Sequence, residues 1–226
     1  IKAVDPDYLT NDIVDGVWSE GLGDLEDGSA MFYASSTLTS FSSDLSSLTD
    51  GSSMFCACPL TSWNIDLPSL TDGNMMFSGC PLTSFNIDLS SLTDAYCMFS
   101  NCSSLTTFSS DLSSLTNGYG MFNNCRLDTA SVQHIADTIN TPSVQGRIEI
   151  GIGNTSPNEQ EEAAFNTIAS KNWAVYVGVP GARPTPWTPT SLTPIDGEEQ
   201  QTPIPFWAKP VPSDEEHAQY VDSEGN

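Results

Sequence analysis

The chain has 226 residues, 38% of them hydrophobic, enough for one ordinary domain and an appendage. Six Lys and Arg stand against 29 Asp and Glu, giving a net charge of −23, and no Lys or Arg lies between Lys2 and Arg126. Such a field repels phosphate and anionic lipid, which excludes nucleic-acid binding, and no apolar run approaches the roughly 20 residues of a membrane helix, which excludes membrane insertion by a helix.

The start, Ile1-Lys2-Ala3-Val4-Asp5, has neither an initiator Met nor the apolar stretch of a signal peptide, so it reads as a processed or partial piece, which leaves a removed signal or a missing N-terminal anchor open. Residues 1–30 carry Tyr8, Ile13, Val14, Val17, Trp18, Leu22 and Leu25 scattered among acids. That composition predicts an irregular N-terminal cap.

Over residues 31–126 the dipeptide Met-Phe recurs at Met31, Met54, Met76, Met98 and Met121, at spacings of 23, 22, 22 and 23 residues. Each unit reads M-F-x-x-C, then L-T-S-F-x-x-D-L-x-S-L-T-D-G with variations. Leu60, Trp63, Ile65 and Leu82, Phe85, Ile87 follow the L-x-x-L-x-L pattern of a short strand. Leu38, Phe41, Ser43 and Leu105, Phe108, Ser110 place Ser at the third position, which predicts a thinner core there. The remainder, such as Leu67 to Gly73, is too short for a long helix. It predicts one turn of 3₁₀ or α helix closed by Gly. One coil cannot bury its own Met, Phe and Leu, so about five coils must stack, each adding roughly 5 Å.

After the last Met-Phe, residues 127–178 predict an amphipathic helix over Ser131–Ile139, a strand over Arg147–Ile152, a helix over Asn158–Ser170 and a strand from Trp173 to Val177. Together they would close the stack as an α/β C-terminal cap. From residue 179 the composition shifts: nine of the fifteen prolines lie between Pro180 and Pro212, which predicts an extended Pro-rich acidic tail or linker. Spacers seldom carry large aromatics. Trp187, Phe206 and Trp207 therefore read as anchors, onto a partner or onto the chain's own coils.

The M-F-x-x-C-x-x-L-T-S-F unit resembles the BspA-like, or Treponema-type, leucine-rich repeats, and the ending from Ser131 to Val175 is similar to the close of such arrays in gut Bacteroidales proteins and their bacteriophages. The resemblance covers about residues 25–178. It implies a non-enzymatic, surface-exposed solenoid for adhesion or recognition and brings no catalytic residues with it.

Two columns could carry chemistry. Cys58, Cys80, Cys102 and Cys125 take the same place in successive coils, with Ser35 in the first. A small, weakly polar side chain suits an inward site, so buried thiols are the favoured reading; disulfides involving Cys56 and Cys97 are the rival, and zinc lacks paired Cys-x-x-Cys units with His. Asp44, Asp66, Asp88 and Asp111 each precede a Leu-x-Ser-Leu turn and read as N-caps. Aligned, they are also a weak Ca²⁺ candidate, although one Asp per coil supplies few of the 6–8 oxygens that ion takes.

Two surfaces could bind. Alternation exposes Ser40 and Ser42, Ser62 and Asn64, Ser84 and Asn86, and Thr107 and Ser109, a near-identical polar face that reads as scaffold and offers a sugar no ring to stack on. Tyr33, Met75, Tyr96 and Tyr119, near the turns, vary from coil to coil and form the alternative contact surface. Ser131, His134 and Asp137 line one helix face without the geometry of a catalytic triad, and no cofactor is implied.

The fold expected is thus an α/β repeat: a short leucine-rich-repeat solenoid of parallel strands and short helical turns, with an α/β C-terminal cap and a Pro-rich tail. Its expected role is protein binding or adhesion, as a structural and recognition component of a bacteriophage virion. A bacterial cell-surface adhesin and a carbohydrate-binding accessory module of a secreted enzyme are the alternatives. The partners expected are other virion proteins or a host-cell receptor, met at a virion surface or a bacterial cell surface, with a homo-oligomer through the tail as a further option.

Overall fold

The computed structural model describes residues 21–189 in full and, before them, the backbone of one short strand, β1 (Val17–Trp18). Phe206 and Trp207, expected as tail anchors, lie outside the described residues.

The repeats form coils joined by parallel main-chain contacts, but the ordered side is not where the L-x-x-L-x-L pattern predicts it. On that side the strands are two residues long: β2 (Ser40–Phe41), β3 (Ser84–Phe85) and β4 (Thr107–Phe108), pairing parallel as β1 with β2 and β3 with β4. Between β2 and β3, the Trp63 indole N–H donates to the Ile65 carbonyl at 2.8 Å and occupies a group that a ladder would use.

The continuous ladder runs instead along the Asp-Gly and Met-Phe segments. Parallel bridges link Asp27, Asp50, Asp72, Asp94 and Asn117 in succession. Beyond each bridge, alternate N–H groups reach the next coil: those of Gly28, Ala30, Phe32 and Ala34 donate to the carbonyls of Asp50, Ser52, Met54 and Cys56 at 2.8 to 2.9 Å. Alternate N–H groups can aim one way because left-handed residues are interleaved. Ala30 and Ala34, Ser53 and Ala57, Met75 and Gly79, Cys97 and Asn101, and Gly120 and Asn124 all have φ between 53° and 76°. A left-handed residue other than Gly costs about 1–2 kcal/mol, which the inter-coil hydrogen bonds offset only if the coils stay stacked.

Two expectations for the turns are corrected. Each Leu-x-x-Leu closes a single i→i+3 bond, as from Leu48 N–H to the Leu45 carbonyl (3.0 Å) and from Leu92 to Leu89 (2.9 Å), so it is a lone β-turn and not a helical turn. Nor do the glycines after Asp close a helix, since Gly28, Gly51 and Gly73 have no positive φ. They are small because the next coil is close: a Cβ on Gly51 would lie 2.8 Å from the Met76 sulfur, and one on Gly73 would lie 3.0 Å from that of Met98. With four-residue turns and no helical stretch, each coil of 22 or 23 residues winds tightly enough for ring to meet ring.

The interior follows from that spacing. Phe32, Phe55, Phe77, Phe99 and Phe122 stack at centroid separations of 5.4, 5.7, 5.8 and 5.7 Å, with ring planes within 10° of parallel. A second aromatic column meets the first edge-on, as Phe41 on Phe55 at 4.9 Å and Phe85 on Phe99 at 4.6 Å. Ser43 and Ser110, at the third position of the pattern, are buried with no partner for their hydroxyls, where Ile87 fills the same place in another coil.

At the C-terminal end a four-stranded sheet continues the stack: β5 (Gly118–Leu127), β6 (Gly146–Ile152) and β7 (Trp173–Gly178) are parallel, and β8 (Thr185–Pro186) returns antiparallel beside β7. The crossovers are α1 (Thr129–Thr138) and α2 (Glu159–Ser170). Asp128 caps α1 by accepting from the Ser131 N–H at 2.8 Å, and Asn158 with Glu161 forms a capping box on α2. Lys171 Nζ closes the other end of α1 by donating to the carbonyls of Ala136 and Ile139 at 2.8 and 2.9 Å. One apolar core runs unbroken from Leu22 to Val177.

Candidate binding surface

Stacking turns sequence columns into rows of like side chains, so each candidate can be placed by its row. Ser62, Asn64, Ser84 and Asn86 are exposed, as the alternation predicts, along a side whose paired strands are two residues long. Asp44, Asp88 and Asp111 accept from the N–H two residues on, of Ser46, Ser90 and Ser113, at 2.8 to 2.9 Å. These are Asx-turns, not helix N-caps, because no helix follows. Asp66 has Pro68 at that position and accepts instead from the Asp88 N–H at 3.1 Å. Among the described residues no group of three or more His, Cys, Asp or Glu is placed to hold a metal ion.

The six cysteines are free thiols. Cys58, Cys80, Cys102 and Cys125 donate to the carbonyls of Phe32, Phe55, Phe77 and Phe99 at 3.0 to 3.1 Å, so each thiol ties its coil to the one before. Burial pushes the Cys58 thiol up to about 11, and Cys80, Cys102 and Cys125 further in the same direction. Protonated and buried, they act as donors and not as nucleophiles. Ser131, His134 and Asp137 are committed separately: the Ser131 hydroxyl donates to Asp128 at 2.6 Å, His134 Nε2 lies 3.1 Å from the Ser110 carbonyl oxygen, and Asp137 accepts from Gln133 at 2.9 Å.

The four variable turn residues separate. Tyr33, 56% exposed, follows its Met-Phe, whereas Tyr96 and Tyr119 precede theirs, and Met75 is a half-buried left-handed residue of a third row. Tyr96 and Tyr119 stack at 5.3 Å with planes 9° apart. That pair continues into the C-terminal sheet: the Arg147 guanidinium lies 4.0 Å from the Tyr119 ring centre and 3.9 Å from that of Tyr176, sandwiched between them. Arg147 is held there by an ion pair to Glu149 at 2.6 Å.

The result is one column, Tyr96, Tyr119, Arg147 and Tyr176, spanning four successive layers. It needs a bare neighbour. Gly120 has φ +67°, and a Cβ on it would lie 2.6 Å from the Cys97 sulfur, whose own residue flanks Tyr96. Arg147 and Tyr176 were not expected as contact residues. The signal for Arg147 was present, an outward place in the alternation Arg147-Ile148-Glu149-Ile150, but the register that sets it above Tyr119 is invisible without the sheet. Trp187 does not join this column: it packs on Phe165 at 5.2 Å, and its indole N–H donates to Asn166 Oδ1 at 2.9 Å, against its own chain.

No curated protein and no solved structure matches the chain. The sequence family described as BspA type Leucine rich repeat region does, in six copies across residues 27–149, more than half of the 226 residues. The repeat register of Met, Phe, Leu and Cys, the coil-to-coil ladder they build and this match agree: the chain belongs to the BspA-type leucine-rich repeat family.

Proposed function

We propose that the chain is a surface-exposed protein-binding module, a short solenoid closed by its α/β C-terminal unit, which meets its partner through the column of Tyr96, Tyr119, Arg147 and Tyr176. The observation that carries this reading is the half-exposed tyrosine pair continued by a sandwiched arginine on an otherwise acidic, Ser-rich surface. Tyr and Arg are the residues that dominate interface energetics, and here stacking has already fixed their rotamers, so little side-chain entropy remains to be lost on binding. The near-identical Ser and Asn face serves as scaffold.

Free thiols throughout the repeats fit a chain that folds in a reducing compartment, as a virion component made before lysis does, and fit an exported adhesin less well. A photo-crosslinking residue placed at Tyr119 and, separately, at Ser84 tests the assignment in purified particles and in cell-surface fractions. Protein adducts at 119 and none at 84 are expected; adducts at 84 alone would reverse it. Enrichment in cell-surface fractions with absence from particles would favour the adhesin.

A further inference from the structure

The four described cations, Arg126, Arg147, Lys171 and Arg183, fall within a chain of net charge −23, and two of them are committed: Arg147 to Glu149, and Lys171 to the carbonyls ending α1. Arg126 and Arg183 are exposed, and neither guanidinium has a hydrogen-bond or ion-pair partner among the described residues. Both line depressions in the same surface. One of about 320 Å³ takes Arg126, Ser103 and Gly178 into its walls, and one of about 310 Å³ takes Arg183. The two adjoin, sharing Asn124, Gly181 and Ala182.

We infer that these paired depressions bind an acidic oligosaccharide, with one carboxylate-bearing sugar in each. Each depression offers one arginine, whose planar fork matches a carboxylate. Around it stand groups suited to sugar hydroxyls. Asn124 Nδ2 donates one hydrogen to Asn101 Oδ1 at 2.8 Å, which leaves Asn124 Oδ1 as an acceptor at the shared wall, and the Ser103 hydroxyl adds a donor. No aromatic ring lines either depression, and arginine, asparagine and serine stand in the walls among small apolar residues, so a ligand there is held by charge and hydrogen bonds and not by ring stacking. The size of each suits one sugar unit, and repetition of arginine from one to the next suits a repeating acid. At physiological salt the Debye length is about 8 Å, so repulsion from carboxylates farther than that from the arginines is largely screened. This site is separate from the tyrosine column and does not depend on it.

Calorimetric titration of the full chain at about 0.15 M salt, with trigalacturonate as probe, tests the inference. A neutral trisaccharide and triglutamate are the controls. Binding of trigalacturonate alone is expected, weakened at least about tenfold by Arg126→Gln and again by Arg183→Gln. Gly178→Ala keeps both arginines and adds a methyl to the wall of the first depression; the glycine has no positive φ, and its added Cβ would meet nothing nearer than Pro184 Cγ at 3.4 Å. It should weaken binding with an unchanged melting temperature. No binding up to about 10 mM, equal binding of triglutamate, or affinity unchanged in the arginine variants would each overturn the assignment.

Discussion

At the scale of single residues, this chain is governed by what the neighbouring coil permits. Gly51 is small because the Met76 sulfur and methyl occupy the space its side chain would fill. Ala95 stands at the equivalent place one coil before Met121, so a methionine there can yield slightly. Gly51→Ala is therefore expected to destabilise by about 1 kcal/mol, at the low end for an overpacked core, as measured by urea unfolding. The thiols obey the same logic. Burial raises Cys58 from the ordinary thiol value of 9.0 to about 11 in the fold. Below the ordinary value the folded and unfolded chains are both protonated, and the contribution is fully present. As pH rises from there through about 11 the unfolded chain ionises first, so stability falls. Unfolding followed between neutral and strongly alkaline pH should show that loss, and Cys58→Ala should show less of it.

At the scale of elements, the C-terminal α/β unit and the column that joins it to the repeats are the parts with most individuality. Arg147→Ala would remove two ring contacts and leave Glu149 buried without its cation. We expect a loss of about 2 kcal/mol, reduced from that of a wholly buried pair because Arg147 is about a third exposed. The same substitution should separate Tyr119 from Tyr176, and near-ultraviolet circular dichroism would register the change. Here the sequence was most legible in its longer periods. α1 and α2 lie within two residues of the Ser131–Ile139 and Asn158–Ser170 helices that hydrophobic periodicity predicts, because caps and amphipathic faces are local signals. Inside the repeats the 22 to 23-residue register was plain, while the backbone was not. A lone turn at Leu45–Leu48 and a short helix share one pattern of leucines, and alternation of left- and right-handed residues at Ala30, Ala34, Ser53 and Ala57 has no compositional signature without the next coil to accept their hydrogen bonds. Tyr96 and Tyr119 stood out as variable positions, but their union with Arg147 and Tyr176 depends on register across some eighty residues.

At the scale of the whole molecule, the fold consists of coils that hold one another through the Met-Phe side, with phenylalanines stacked behind it and thiols bonding back to the preceding coil. That side also carries the tyrosine column, so its rigidity positions the surface proposed for binding. Hydrogen exchange resolved to single amides tests this placement directly. The slowest exchange in the repeats is expected at Phe32, Phe55, Phe77 and Phe99, whose N–H groups cross to the next coil, with faster exchange at Ser62 and Asn64. Strong protection centred on the Ser62 to Ile65 and Ser84 to Ile87 segments, with the Met-Phe amides exchanging freely, would contradict this placement.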